Sequence, residues 1–307
     1  LNHTVNANMM RRIQQTALFL VLVHNANLTY ADDLTSGYSK LLTLSSSNDI
    51  SASTLHSEGV DYNKYILPYV FENLYQHEDY AFSLGLKGSY LKVRLDPISI
   101  NDDNDIYYGR WDIFNVMVTP KVDYKLNQYV TLEGAVDLGY SKMVNNSKVR
   151  GSQEVKEGLT DNGLLDWDVN TLHFAPEIGA KFKKAFDNND ELTFHSRISY
   201  MVLTGIDNNK SGVKVDDNAG TWSTGASYLV SDALNIMEKD FDLLLSNRIG
   251  GFYGKGYRDL SFGFINSTEV AVETPLKIYG YDMKMKIGVG YLSSDNAHGT
   301  TLVFGLQ

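Results

Sequence analysis

Seven histidines are the side chains of this sequence best suited to acid–base chemistry or metal binding. His173 and His195 form the best candidate pair, because a two-residue period places both on the polar faces of neighbouring predicted strands. A hairpin that turns near residues 188–189 sets His195 opposite about Lys183, which leaves the two rings roughly 33 Å apart at about 3.3 Å per residue. That distance excludes a shared metal ion or a catalytic triad, and Ser196 points away from His195. We therefore expect His195 to be an ordinary residue of the polar face.

Two acidic clusters, at 102–105 and 216–217, carry the oxygen ligands that Ca²⁺ prefers. Their spacing differs from that of an ordered calcium-binding loop, so solvated loop charges are the favoured interpretation. The chain has no cysteine, which excludes disulfides and thiolate metal sites. No glycine-rich loop follows a strand and opens a helix, as a phosphate-binding motif would. The sequence therefore predicts no enzyme activity, no cofactor and no catalytic or metal-binding residues.

The charge balance and the aromatic content narrow the class of protein. Lys and Arg number 27 against 37 Asp and Glu, and the net charge of −10 argues against a nucleic-acid partner. Tyrosine is unusually abundant, with 20 residues, and aromatic residues make up 12% of the chain. These features fit a large soluble β protein or a membrane β-barrel, and the strand pattern has to decide between them.

The amino-terminal segment has the order of a secretory signal peptide. Two arginines precede an apolar run at 16–23, and a polar stretch then ends at the small residue Ala31. The run is too short to span a membrane as a helix, which needs about 20 residues. We predict upstream residues and a signal peptide over 1–31, and the barrel domain over 32–307. The alternative is a short buried helix, for instance one that lies inside a pore.

Long segments of the chain alternate apolar and polar residues. The clearest are 114–126, 130–140, 172–183 and 283–291. A sustained period of two is typical of β-strands with one apolar and one polar face. Ordinary strands average about five or six residues, whereas a tilted strand that spans a bilayer needs about 9–11. The length of these segments therefore favours membrane-spanning strands.

Three features indicate that the apolar face meets lipid and the polar face lines a wet lumen. The first is the export route that a signal peptide supplies. The second is an aromatic girdle near the predicted strand ends, which consists of Tyr65, Tyr75, Tyr80, Tyr124, Tyr129, Tyr140, Phe186 and Tyr291. The third is a polar face with charges of both signs, and its predicted lumen-lining charged residues are Lys121, Asp123, Lys125, Glu133, Asp137, Glu177, Lys181, Lys183, Arg197, Lys284 and Lys286.

Short and long links alternate along the chain, as they do between the periplasmic turns and outer loops of transmembrane barrels. Short turns are predicted at 77–78, 127–128, 187–190 and 273–275, and long polar links at 96–106, 144–168 and 205–220. The link at about 232–238 is long for a turn, and the one at about 255–256 is short for a loop. These links separate twelve predicted strands, and both ends of the chain lie on the side of the barrel that carries the short turns. The strands are expected near 38–49, 62–76, 79–95, 107–126, 129–143, 169–186, 191–204, 221–231, 239–254, 257–272, 277–292 and 298–306.

Three prolines fall inside these predicted strands, namely Pro68, Pro120 and Pro176. Proline removes a ladder hydrogen bond, and a closed barrel has no free edge on which to place it. We therefore expect bulges, strand ends or shifted strand boundaries at these positions. The alternative fold is a soluble β-sandwich or β-solenoid, although no repeat of about 20–50 residues supports a solenoid.

The stretch YNKYILPYVFENL at 62–74, with 118–124 and 174–179, resembles the solitary outer-membrane autotransporter β-barrel family. The resemblance covers nearly all of the predicted mature chain and consists of barrel strands rather than catalytic signatures. It implies an all-β fold, a single antiparallel transmembrane barrel of about twelve strands without a large passenger domain, in the cell outer membrane. Phe304 and Leu306 then form the predicted terminal assembly signal, although barrels of this membrane commonly end on an aromatic residue.

Three functions of different classes remain open at this point. The first is a structural or interaction barrel, and the second is a narrow, porin-like diffusion channel for small solutes. The third is a rim hydrolase, which requires a nucleophile and a base within hydrogen-bond reach, and no such pair is found. A filled lumen would indicate an anchor and an unfilled one a channel. The expected partners are outer-membrane lipid, the barrel-assembly machinery and extracellular molecules at the long loops.

Overall fold

The computed structural model describes residues 29–46, 54–100, 105–161, 163–206, 215–236, 239–254, 260, 262–278 and 281–306. Within these residues twelve strands close into one antiparallel barrel, which confirms the predicted fold class. The barrel strands are β1 (Thr54–Ser57), β2 (Val60–His77), β3 (Tyr80–Leu95), β6 (Arg110–Lys125), β7 (Val130–Asn145), β9 (Trp167–Ala185), β10 (Glu191–Gly205), β11 (Asp217–Ile236), β12 (Lys239–Tyr253), β13 (Phe264–Ile278), β14 (Tyr281–Ser293) and β15 (Ala297–Leu306).

A small second sheet and two helices complete the described structure. The sheet has the order β4-β5-β8 and contains β4 (Ile98–Ser99), β5 (Ile106–Tyr108) and β8 (Lys148–Arg150). The helices are α1 (Thr29–Ser46) and α2 (Gln153–Asp161). No helix in the described ranges is both long enough and apolar enough to cross a membrane.

Consecutive barrel strands are neighbours, and β1 closes the barrel by pairing with β15 on one side and β2 on the other. The predicted short turns at 77–78, 127–128 and 187–190 are confirmed, and they lie at one end of the barrel. We call this end the short-turn side. The opposite end, the long-loop side, carries the links that contain β4, β5, β8 and α2.

The two faces of each strand differ as a lipid-surrounded barrel requires. On β6, Phe114 and Val116 point outward and are 54% and 66% exposed, whereas Asn115 and Met117, which alternate with them, are buried. The same parity continues across the barrel because each strand pairs with its neighbour in register. The outer wall is thus an exposed apolar band, and the polar alternates face the lumen.

The predicted first strand at 38–49 is wrong, because residues 38–46 are the second half of α1. The first barrel strand is instead the short β1. Tyr38, Leu41, Leu42 and Ser45 recur at i, i+3, i+4 and i+7, which is the period of one helix face. The adjacent leucines Leu41 and Leu42 are equally compatible with a strand. The segment forms a helix because it lies inside the lumen, where the surrounding barrel wall packs against it.

The predicted turn at 273–275 is also wrong. Glu273 and Pro275 lie inside β13 and pair with Lys286 and Lys284 of β14. β13 continues past this position to Ile278, and β14 begins at Tyr281. The two links that fitted poorly also have other bounds. β11 extends to Ile236, and β12 ends at Tyr253 whereas β13 begins only at Phe264.

The expectation of bulges or strand ends at the prolines is wrong as well. The β6–β7 register is the same on both sides of Pro120, and the β9–β10 register is the same on both sides of Pro176. Each proline therefore removes ladder pairs without shifting the strand. Pro68 lies in a continuous paired run of β2, whose bulge falls instead between Phe71 and Tyr75.

The turn between β9 and β10 is fixed by a carboxylate. Asp190 accepts hydrogen bonds from the Tyr228 hydroxyl at 2.7 Å, from the Ser231 amide at 3.1 Å and from the Asn188 side chain at 2.9 Å. These donors, with the Tyr228 hydroxyl foremost, hold the pKa of Asp190 below its usual value. The turn is thereby tied to β11 on the short-turn side.

Candidate functional site

The lumen on the long-loop side is filled by α1. Every side chain from Tyr38 to Ser46 is buried, and none is more than 6% exposed. This set includes polar residues such as Lys40 and Thr43, so the helix is enclosed on all of its faces and not along one apolar stripe. The barrel wall and the loops above it must therefore supply a complete environment for the helix.

Three lumen-facing side chains bind the last turn of α1. Lys87 Nζ donates to the carbonyl of Ser46 at 2.5 Å, and Ser89 Oγ donates to the carbonyl of Ser45 at 2.6 Å. Asn115 Nδ2 donates to Ser45 Oγ at 2.8 Å. The last carbonyls of a helix have no partner within the helix and carry partial negative charge. The barrel wall therefore provides the carboxyl-terminal cap of α1, with the Lys87 ammonium complementing the helix dipole.

Tyr38, at the middle of α1, contacts the long-loop side. Tyr38 donates a hydrogen bond to the carbonyl of Gly163 at 3.2 Å. Its ring packs edge-on against Trp167, with centroids 4.8 Å apart, and lies 6.3 Å from Trp111. At the opposite end, Ser46 lies 3.6 Å from the Met201 sulfur. Residues 38–46 of α1 thus run from the long-loop side to the middle of the lumen.

A cap covers this side of the barrel, and we define it as β4, β5, β8, α2 and the segment 163–165. Its core contains Ile100, Tyr107, Leu159, Leu164 and Leu165. Burial raises the pKa of Tyr107 to about 12, and its hydroxyl donates to the carbonyl of Leu164 at 3.2 Å. Because the Gly163 carbonyl also accepts the hydrogen bond from Tyr38, this bond joins the cap to α1.

Beneath α1, toward the short-turn side, the lumen holds a cavity of about 240 Å³ with charged walls. Lys121 contacts Glu133 at 2.8 Å and Asp123 at 3.1 Å. Arg197 lies 3.5 Å from Glu177 on the adjacent strand. Charges of opposite sign therefore neutralise one another across neighbouring strands and do not form a ring of one sign.

The predicted lumen-lining residues divide into two groups. Those whose side chains line the cavity are Lys121, Glu133, Asp137, Glu177 and Arg197. Asp137 accepts a hydrogen bond from Thr119. The others do not line the cavity. Three of them are partly exposed, namely Asp123, Lys181 and Lys286. The remaining three are exposed near the strand ends on the short-turn side, namely Lys125, Lys183 and Lys284.

The predicted aromatic residues lie at two levels of the outer wall. Near the long-loop side are Tyr65, Tyr140 and Tyr291, and near the short-turn side are Tyr75, Tyr80, Tyr124, Tyr129 and Phe186. All except Tyr124 are at least 36% exposed. Of the predicted terminal signal, Phe304 points outward and is exposed, and the side chain of Leu306 lies outside the described residues.

The candidate histidine pair is separated as expected, although the register differs. His195 lies opposite Lys181 rather than Lys183, and His173 lies opposite Leu203. In the described part of the chain no group of His, Asp or Glu has the arrangement of a metal site. Of the acidic clusters, residues 102–104 lie outside the described residues, and Asp216 accepts a hydrogen bond from the Gly205 amide at 2.7 Å.

Sequence reasoning missed the residues that hold α1, namely Lys87, Ser89 and Asn115. Their strand parity places all three on the lumen face, and that signal was available in the sequence. The parity could not show that these side chains bind a helix terminus, because the sequence pattern predicts a strand at 38–49 where the helix lies.

Replacing Lys121 by methionine should destabilise the barrel, because Glu133 and Asp123 would then face each other without a cation. Removing one partner of a buried pair costs about 3–5 kcal/mol. These side chains are 16–32% exposed, so we expect a loss of about 1–2 kcal/mol. Urea unfolding in lipid vesicles measures this loss of unfolding free energy.

Lys181→Met is the matched control, because Lys181 forms no ion pair with any residue that the structure describes. Its free energy of unfolding should change by less than about 0.5 kcal/mol. Equal losses of unfolding free energy in both variants would contradict the assigned ion pairs.

Comparisons with known proteins agree with this architecture. The sequence matches the family described as solitary outer membrane autotransporter beta-barrel domain over residues 44–248, more than half of the chain. The beta domain of the Bordetella autotransporter Brka is similar at 12% identity and a TM-score of 0.53, covering 82% of this chain and 94% of that chain. No curated protein matches the sequence.

A second solved structure of the same fold is the transport unit of the autotransporter AIDA-I from Escherichia coli. It shares 12% identity with a TM-score of 0.56, and the match covers 89% of this chain and 96% of that chain. The match to the family model rests on the sequence itself, and the closed twelve-stranded barrel agrees with it. The chain therefore belongs to the solitary outer membrane autotransporter beta-barrel domain family and lies in the cell outer membrane.

Proposed function

We propose that this translocator-type barrel works as a closed membrane anchor, sealed by its own helix, that presents the cap to extracellular partners. The observation that carries the proposal is the enclosure of α1, whose residues 38–46 are all buried inside the lumen. A helix packed on every side leaves little room for water beside it. The cap then adds a second layer above the helix.

The contacts of α1 also support a permanent rather than a transient plug. Its last turn is bound by Lys87, Ser89 and Asn115, which belong to two adjacent strands. Net hydrogen bonds contribute about 0.5–1.5 kcal/mol each, and those to charged groups about 1.5–3. Added to the burial of the leucines, these bonds favour the closed lumen strongly.

The second candidate is a narrow pore for small polar solutes, and the charged cavity beneath α1 favours it. Lys121, Glu133 and Arg197 could bind a small ion or solute that enters from the short-turn side. Their mutual pairing argues against this role, because each charge already has a counterion. The same pairing supports no catalytic role for these side chains.

The signal peptide over 1–31 stays a prediction, as does assembly by the barrel-assembly machinery. Residues 1–28 lie outside the described residues, and α1 begins at Thr29 and includes the predicted cleavage point at Ala31. Cleavage there would leave the buried part of the helix, 38–46, within the mature chain. Closure of the lumen is therefore compatible with removal of the signal peptide.

Conductance of the full chain in a planar lipid bilayer tests the proposal. We expect folded, inserted barrels to show no sustained current at either polarity, because α1 and the cap block the path. Insertion is established separately by the shift in gel mobility between unheated and heated samples. Sustained, ion-selective steps would overturn closure and favour the narrow pore, in which Lys121→Glu should shift selectivity toward cations.

A further inference from the structure

Along the outer face of β3 the side chains change from apolar to aromatic to positively charged, in the order of the hydrocarbon, interface and headgroup layers of a membrane. Toward the long-loop side it presents Leu86, Tyr90, Lys92 and Arg94, each pointing away from the lumen. Apolar residues suit the hydrocarbon core, aromatic rings suit the interface, and cations suit the phosphate level above it. The two cations therefore lie at the depth of the lipid headgroups on the long-loop side.

The aromatic layer below these cations continues across three strands. Tyr90 of β3 stacks with Tyr65 of β2 at a centroid distance of 6.2 Å and with Phe114 of β6 at 4.7 Å. Stacked rings of this kind form a rigid platform at low entropic cost. The platform fixes the level of the interface directly beneath Lys92 and Arg94.

Arg94 and Arg110 bring two positive charges together, and Asp112 pairs with only one of them, Arg110. Arg94 lies directly opposite Arg110 in the β3–β6 ladder, and both side chains are on the outer face. Like charges directly opposite each other in a sheet are destabilising. An anion between the two guanidinium groups would remove this repulsion and would accept hydrogen bonds from both.

The nearby carboxylates do not neutralise all of this positive charge. Asp112 is only 4% exposed and is engaged by Arg110 Nε at 2.9 Å and by the Tyr90 hydroxyl. Asp61 lies 2.7 Å from the His56 ring. Among the described residues, neither Lys92 nor Arg94 forms an ion pair.

We propose that Lys92, Arg94 and Arg110 form a binding site for the phosphate group of an outer-leaflet lipid. The phosphate lies against the two arginines and the lysine, and the acyl chains run down the wall past Tyr90 and Leu86. Arginine suits this ligand because its planar fork donates two parallel hydrogen bonds to phosphate oxygens. The site joins the closed barrel to specific lipids, and its position on the outer wall makes it independent of whether the lumen conducts.

Binding of phosphatidic acid to the full chain in neutral detergent, counted by native mass spectrometry, tests the site. Removal of each cation should weaken binding about fivefold, so Lys92→Gln with Arg94→Gln should weaken it about 25-fold. Diacylglycerol with the same acyl chains should not bind at this site, because it lacks the phosphate. The exchanged variant Lys92→Arg with Arg94→Lys should keep binding, because it keeps both charges.

The matched control is Lys148→Gln with Arg150→Gln. These residues are also a lysine and an arginine two positions apart on one strand, but they lie on β8 of the cap. This control should bind phosphatidic acid as the unaltered chain does. The proposal is overturned if the control loses as much binding as the test variant, if the test variant keeps full affinity, or if diacylglycerol binds equally. Displacement of the lipid by millimolar inorganic phosphate would also overturn it, since the site would then take the free ion.

If the double variant does not fold, as judged by gel mobility, the single variants Lys92→Gln and Arg94→Gln decide the question. Each should weaken binding of phosphatidic acid about fivefold. Unchanged affinity in both single variants would refute the site.

Discussion

A barrel in which Leu42 and Leu44 are both replaced by aspartate should conduct ions, whereas the unaltered barrel should not. The two side chains are 0% and 1% exposed within the lumen. Burying two leucines contributes about 3–6 kcal/mol, and each buried, unpaired carboxylate adds several kcal/mol of desolvation cost. The bonds from Lys87, Ser89 and Asn115 together offer about 4 kcal/mol. The free energy lost through the two substitutions exceeds the contribution of these hydrogen bonds, so α1 should leave the lumen.

Planar-bilayer recording of the variant beside the unaltered chain measures the effect. The control is Leu42→Met with Leu44→Met, which keeps side-chain volume and costs less than about 1.5 kcal/mol per site. The methionine barrel should stay silent. Both variants need the gel-mobility shift of a folded barrel before recording. A folded, inserted aspartate variant that remained silent would show that α1 is not what closes the lumen.

The strand faces could be predicted from the sequence because they depend on local alternation alone. Phe114 and Val116 follow the two-residue period, and the structure places both on the outer wall. The same period limits what can be predicted about partners. The expected register set His195 opposite Lys183, whereas its partner is Lys181. An error of two residues keeps every side chain on its face but changes every cross-strand neighbour.

The helix α1 could not be predicted in the same way, because its environment is formed by distant parts of the chain. A segment with Lys40, Thr43 and three leucines has no long apolar stripe that would mark a buried helix. It is stable inside the barrel because Lys87, Asn115 and Gly163 supply hydrogen bonds from three separate regions. The cap depends equally on pairing between β5 and β8, which are about 40 residues apart along the chain.

Replacing Gly299 by alanine should destabilise the closure of the barrel more than the addition of a methyl group at any other position of β15. Gly299 lies opposite Leu55 in the β1–β15 ladder. A Cβ atom there would lie 1.9 Å from the carbonyl oxygen of Thr54 and 2.8 Å from Leu55 Cα. Both are backbone atoms, so no side-chain rotation relieves the clash and β1 has to move away.

The expected cost is large because β1 is short. In the described residues it joins β15 to β2 through four residue pairs on each side. Overpacking usually costs about 1–3 kcal/mol, and displacement of the closing strand should bring Gly299→Ala to the upper end of that range or beyond. Urea unfolding in lipid vesicles measures the free energy, and hydrogen exchange at the Leu55 amide reports whether β1 has left its place.

Gly305→Ala on the same strand is the matched control. The nearest atom to a Cβ at Gly305 is Lys286 Cβ at 3.7 Å, which is an ordinary van der Waals contact. Alanine also restricts the unfolded chain more than glycine does, so this variant should be as stable as the unaltered barrel or slightly more stable. If the two variants unfolded at the same urea concentration, the tight approach of β15 to β1 would be wrong. A loss confined to Gly299→Ala, together with faster exchange at Leu55, would identify the four-residue strand as the element that holds the barrel closed.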